Sequence, residues 1–217
     1  MRRVIAALFL TGLFLAPTAF AASTKFLSTS RDGKNVIKFA SKAPLETIEG
    51  VTSRIDGDVE VDLADAATAA GQFEVDLTTL KTGIDMRDQH LRERFVHTDS
   101  FPKAVFKLIK VTKAGAKAMA DGQPVNIEAQ GEMTIHGVTK PVSVSGTVTY
   151  MKESEETGAR LPGDLLHVDV SFPILLSDFN IERPKMLFMK LSDKVGIAVD
   201  VFVSTKQPEP RPEMKKP

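Results

Sequence analysis

Between Ile37 and Val203 the chain alternates apolar and polar residues with a period of two. Successive side chains of a β-strand point to opposite faces, so each such run is a strand with one buried and one solvated face. Ile37 and Phe39 flank Lys38 in the first run. Val59, Val61 and Leu63 form the next, followed by Phe73, Val75 and Leu77. Ala104, Phe106 and Leu108 then alternate with Lys103, Val105 and Lys107. Ala129, Gly131, Met133 and Ile135 face away from Gln130, Glu132 and Thr134. Val142 to Tyr150, Leu166 to Phe172 and Val195 to Val203 complete the series, and residues 52–56 are expected to pair with the strand after Gly57.

Breakers separate these runs. Asp56-Gly57, Asp121-Gly122 and Pro162-Gly163-Asp164 mark turns, and residues 137–140 read as a short hairpin loop before Pro141. No repeat of propeller or solenoid length is present. About eight antiparallel strands with one apolar face can bury it by closing into a barrel or by pairing into a sandwich. A barrel of that strand number is just wide enough to be filled by its own side chains or to hold one elongated ligand. The small inward residues Ala129, Gly131 and Gly146 favour a cavity.

One segment, about residues 83–95, has helical character, with Thr82 and Asp85 at capping-box spacing. On a helical wheel Ile84, Leu91 and Phe95 share a face, which should pack on the barrel. Asp88 falls on the same face, flanked by Arg87 and Arg92. A carboxylate there must be satisfied by hydrogen bonds or a cation. Two readings follow: a structural anchor, or a polar cavity mouth of Arg87, Asp88 and Arg92 that meets a ligand's head group. A further helical turn is expected within residues 64–70.

Catalytic and metal signatures are sparse. There is no cysteine, which removes disulfides, thiolate catalysis and Cys-type zinc sites together. No nucleophile elbow, phosphate-binding loop or dinucleotide fingerprint occurs. Asp85 and Asp88 lie too close and too parallel on one helix to flank a substrate bond. The 4 histidines, His90, His97, His136 and His167, lack metal-ligand spacing and read as surface residues; a site shared by His90 and His97 is the weaker alternative. Catalytic residues, metal ligands and cofactors are therefore all expected to be none. Lysine plus arginine and aspartate plus glutamate both number 28, so a nucleic-acid partner is not expected.

Residues 1–21 read as a signal peptide. Arg2 and Arg3 precede an apolar run that ends in Pro17 and an Ala19-Phe20-Ala21 cleavage site. The run is short for a membrane span, and no other stretch approaches that length. Cleavage after Ala21 would leave a nearly neutral chain with no integral membrane segment. Export without cysteine suits a bacterial periplasm. Residues 207–217, rich in proline and without apolar periodicity, read as a disordered tail.

Several strings occur in the order found in the YceI-like family. They are Thr82-Gly83, Arg87-Asp88, His90-Leu91-Arg92, Phe101-Pro102, the run from Met133 to Pro141, and Ser177-Asp178-Phe179. The chain resembles that family over roughly residues 25–205. It departs from it at Leu176 and Asn180, where the family often has a basic residue and a glycine, and in the segment from Glu93 to His97. The resemblance implies export, a lipocalin-like antiparallel barrel, and a polyisoprenoid lipid or quinone bound inside it.

The combined expectation is an all-β protein. Its residues 22–206 form an eight-stranded antiparallel lipocalin-like barrel, with the short helix near the mouth. The inward set Phe39, Phe73, Phe106, Leu108, Met133, Ile135, Val144, Val170 and Phe172 would line a cavity for an apolar small molecule. The rival expectations are a periplasmic hydrolase acting on a small amide or ester at the Arg/Asp cluster, and a stress-related protein-interaction module. Homodimerisation stays open.

Overall fold

The strands pair antiparallel in chain order until the sheet meets itself. The computed structural model describes residues 22–28, 30, 34–42, 47–183 and 192–207. The expected leader over residues 1–21 and the tail beyond residue 207 lie outside the described residues. Ten strand segments make up the sheet. They are β1 (Ser23–Ser28), β2 (Val36–Lys42), β3 (Thr47–Thr52), β4 (Ile55–Asp62), β5 (Asp65–Asp76), β6 (Lys103–Ala114), β7 (Pro124–Ile135), β8 (Val138–Met151), β9 (Leu165–Leu175) and β10 (Lys194–Ser204). Among the described residues no helix is long and apolar enough to cross a membrane.

Ten segments make eight strands of a barrel. β1 and β2 both run antiparallel to β10, so they are two halves of one interrupted strand. β3 and β4 are the halves of the strand that returns beside it, with Ile37 opposite Thr52 and Phe26 opposite Val59. From there β5 to β10 follow one another, and the pairing of Leu27 with Ser204 closes the ring. Closure removes the free edges that an open sheet would present.

Local chemistry explains where the observed elements depart from expectation. The second interrupted strand breaks at residues 53–54, so residues 52–56 straddle the break. Thr52 faces Ile37 on one side of it, and Ile55 faces Val75 on the other. Asp56-Gly57 is not a turn but lies inside β4, opposite Glu74 and Phe73. Residues 64–70 are not helical. Asp62 accepts from the Ala64 amide and Asp65 from the Ala67 amide, which turns the chain into β5. Ala66 is then buried in the core, a case of tertiary packing overriding helix propensity. The β7–β8 hairpin turns on His136-Gly137 alone, both at positive φ (52° and 75°), while Val138 to Lys140 already belong to β8. Two adjacent left-handed residues are the geometry of the tight hairpin turn. A single helical turn, α2 (Glu155–Gly158), was not foreseen; Ser154 caps it, accepting from the Thr157 amide.

Antiparallel register sorts the interior into two ends. At one end lie Phe26, Val59, Val61, Ala66, Met119, Leu166 and Val203, a cluster that plugs the barrel. Tyr150 stands edge-on to Phe26, with ring centroids 6.4 Å apart. Its hydroxyl donates to the Asp164 carboxylate at 2.8 Å. Burial, and then the bond and charge of Asp164, push the Tyr150 pKa up to about 12. At the other end a helical segment crosses the opening: α1 (Asp85–His90), continued by a π-helical turn over Leu91–Val96.

The interruption between β1 and β2 is patched by Asn35, which is 1% exposed. Its Oδ1 accepts from the Phe202 amide at 2.9 Å, and its Nδ2 donates to the Ser28 hydroxyl at 3.3 Å. The side chain thus replaces ladder bonds that the broken strand cannot make. Asn35→Ala should cost about 1–3 kcal/mol, the penalty of leaving a buried amide unsatisfied. Urea unfolding measures this, and an unchanged midpoint would show that the patch contributes nothing.

Candidate ligand-binding site

Between the plug and the helical segment the barrel is hollow. The cavity measures about 250 Å³, near the lower end of small-ligand pockets. Its wall is almost wholly apolar. Phe39, Phe73, Phe106, Met133, Ile135, Val144, Val170 and Phe172 all line it, as the alternation places them. Leu108 does not. It packs into the same apolar cluster without reaching the lumen. Leu91, Phe95 and Val96 form the roof, and Leu176 and Ile181 close one side. Asn180 ends the turn containing Leu176 in a left-handed conformation, φ 54°, which asparagine tolerates better than most residues.

The small inward residues contribute in a way the alternation does not reveal. A Cβ on Gly131 would lie 2.4 Å from the Phe106 ring, and one on Gly50 would lie 2.1 Å from the Phe39 ring. Each glycine lets a phenylalanine of the neighbouring strand lie against the wall, an arrangement that shields the bare backbone of glycine. At Gly146 a Cβ would meet the backbone of β9, 2.1 Å from the Asp169 carbonyl oxygen. That glycine serves strand approach, not cavity space. Phe106 and Phe172 meet with centroids 6.3 Å apart and planes inclined by 30°, within the range of favourable ring contacts.

The expected polar mouth is not one. Arg87, Asp88 and Arg92 do not line the cavity. Asp88 is 5% exposed and accepts from both the Thr82 amide, at 2.7 Å, and the Thr82 hydroxyl. Arg87 reaches round the same residue, donating to the Thr82 hydroxyl at 2.8 Å and to its carbonyl at 3.0 Å. Arg92 donates to the Leu80 carbonyl at 3.2 Å. Thr82 is therefore the partner of Asp88, and no capping box forms with Asp85: Ile84 occupies the N-cap position without a side-chain bond. Being outside the helix, Ile84 leaves its apolar face and is 53% exposed. The sequence placed Asp88 on the packing face but did not identify Thr82 as its partner. A threonine six residues ahead of an inward carboxylate was the available signal.

The histidines also pair differently from expectation. His97 meets His136, not His90, at 2.8 Å between Nδ1 and Nε2. His136 Nδ1 lies 3.2 Å from the Phe179 carbonyl. A carbonyl only accepts, so His136 donates through Nδ1. The pair joins the helix end, the β7–β8 turn and the turn at Phe179. His167 is a surface residue stacked on Phe202 and bonded to Asp200. Among the described residues no group of three or more His, Cys, Asp or Glu side chains could hold a metal ion.

Burial pushes the Asp88 carboxyl upward. The two Thr82 hydrogen bonds and the charges of Arg92 and Arg87 outweigh it, so the group lies below the ordinary aspartate value of 3.8. Its folded pKa is thus lower than its unfolded one. The stabilisation is complete above the ordinary value and is lost as pH falls through the lower folded value. Asp88→Asn should cost about 1.5–3 kcal/mol, on the scale of a hydrogen bond to a charged group. It should also flatten the loss of stability on acidification below about pH 4. Denaturant midpoints of both proteins across that range check this; parallel acid profiles would count against the anchor.

The geometry can be compared with known proteins. Residues 30–203 match the YceI-like domain. A UPF0312 protein of Vibrio cholerae is 25% identical over 146 residues, covering 67% of this chain and 73% of its own length. Protein YceI of Shigella flexneri is 28% identical over 134 residues, covering 61% and 63%. Among solved structures, BcnA of Burkholderia cenocepacia superposes with a TM-score of 0.60 at 21% identity, over 80% of this chain and 98% of that one. A polyisoprenoid binding domain from Saccharophagus degradans, implicated in plant cell wall breakdown, superposes at 0.61 and 15% identity, over 84% and 99%. These two establish likeness of fold. With the domain match spanning most of the sequence, the closed barrel with its apolar interior belongs to the YceI-like family.

Proposed function

We propose that this protein is an exported carrier that encloses one apolar lipid, a polyisoprenoid or prenylated quinone, inside its barrel. The observation that carries the reading is the roofed cavity of about 250 Å³ with its nearly continuous apolar wall. An unfilled apolar space of that size forgoes dispersion contacts along its whole lining. A chain-like hydrocarbon would restore them and gain about 25 cal/mol for each Å² of apolar surface withdrawn from water. Burial alone then supplies the affinity, without covalent chemistry. The polyisoprenoid-binding domain of Saccharophagus degradans, similar in fold, supports this ligand class. The leader pattern over residues 1–21 supports export to a bacterial periplasm, where the protein would sequester or transport the lipid between membranes. Arg87, Asp88 and Arg92, to which a hydrolase would have to be assigned, are committed to holding the helix.

Native protein purified from the periplasm, extracted with organic solvent and analysed by mass spectrometry, should release a stoichiometric isoprenoid lipid. Its mature chain should begin at Ala22. Phe172→Trp should narrow the lumen and lower lipid occupancy while the barrel stays folded. A filled barrel would instead lose about 1–3 kcal/mol by overpacking. Loss of stability with no lipid in either protein would overturn the proposal.

A further inference from the structure

The cavity has a floor. On β10 the inward residues from Val195 to Val201 line it, as do those on β9 from Ile174 back to Val168. The next inward residue on each strand, Val203 and Leu166, belongs to the plug. Register sets these side chains in rows: Val199 with Val170, Val201 with Val168, Val203 with Leu166. The boundary between hollow and solid falls between the last two rows. Val203 and Leu166 are 0% and 2% exposed, so the space beneath the boundary is already filled.

A separate apolar cluster makes this floor. Its buried members are Ile37, Ile55 and Val201, with Phe73 and Val168 packed against them, and all five line the cavity. The buried three stand across the barrel from β7 and β8, in front of which Phe106 and Phe172 meet. Phe73 also packs against the plug, so its ring spans the boundary. That ring lies over Gly57 of β4, where a Cβ would come within 2.8 Å of it. The volume above the floor bounds what it can hold. A cavity of about 150 Å³ takes the six carbons of benzene, so one of about 250 Å³ takes on the order of ten.

We infer that Phe73, Val168 and Val201 set the length of chain the barrel encloses, and that the site is matched to a short prenyl chain of about two to three isoprene units. The inference rests on the lipid reading of the cavity. Each unit above the floor withdraws apolar surface from water and adds affinity. A further unit meets the plug, and a close-packed cluster yields no space without strain. That unit stays outside the lumen and adds little.

The test uses the full chain stripped of lipid, titrated calorimetrically with geraniol, farnesol and geranylgeraniol, which lengthen by one isoprene unit at each step. Wild type should bind farnesol at least about tenfold more tightly than geraniol, and geranylgeraniol within about threefold of farnesol. Val168 is only half-buried where it lines the cavity, so Val168→Phe raises the floor into the lumen. Farnesol should then weaken at least about tenfold and geraniol less. Without ligand this variant should melt no lower than wild type, because its ring gains contacts in open space. Phe73→Ala removes the ring that spans the boundary and should make geranylgeraniol about tenfold tighter than farnesol; where it fails to fold, Val168→Phe decides alone. Affinity in wild type that keeps climbing tenfold from farnesol to geranylgeraniol, an unchanged farnesol affinity or a clear drop in melting temperature in Val168→Phe, or an unaltered preference in folded Phe73→Ala would each overturn the floor and leave the lipid reading standing. Failure of wild type to bind any of the three would overturn the lipid reading and the floor with it.

Discussion

Closure of the sheet is the constraint from which the rest follows. The join is narrow: Leu27 opposite Ser204 where β1 meets β10, with β2 carrying the remainder of the pairing. An eight-stranded ring has no edge to protect, and its radius is set by strand number and stagger, not by what happens to fill it. Inward side chains must then divide a fixed space among themselves. In this chain they divide it unequally. The end built from the start of β1 and the end of β10 is packed solid around Phe26, while the end built from the start of β10 and the end of β2 holds the cavity.

Hollowness needs explanation, because large aromatic side chains in a narrow barrel tend to meet at its axis. Phe39 and Phe106 avoid that by lying against the wall over Gly50 and Gly131 of the neighbouring strands. Each glycine gives up the packing of its own side chain and weakens its strand. The covering ring returns much of that contact and also hides the exposed backbone. The lumen stays open between these rings, down to the point where Phe106 meets Phe172. The same number of phenylalanines without the glycines would describe a filled core.

The period-two pattern made the barrel legible because one buried face is all a strand needs to declare itself, and the inward set followed from it almost residue by residue. Leu108 lies on the inward face but packs into the apolar cluster without reaching the lumen, a matter of depth that alternation does not encode. The break at residues 53–54 and the hairpin at residues 62–65 were misread for another reason. Gly57 and the alanines after Asp65 carry local preferences that pairing overrides. The cluster Arg87–Asp88–Arg92 was recognisable as unusual, but its role was not. Whether a carboxylate faces a ligand or a threonine six residues away depends on how the chain enters the helix.

The roof differs in kind from the wall it completes. A helical segment this short does not persist by its own backbone bonds, because nucleation costs about as much as so few turns return. What holds it is Asp88, bonded to Thr82 at the entry to the segment, and the burial of Leu91, Phe95 and Val96 over the cavity. Leaving the barrel through its wall would require parting a ladder of strand pairings. A charged anchor suits such a joint, since it is directional and fixes one closed position, whereas apolar packing alone would let the segment slide. The carboxylate that sequence reasoning placed at a mouth thus fixes the entry to the helical segment that roofs the cavity.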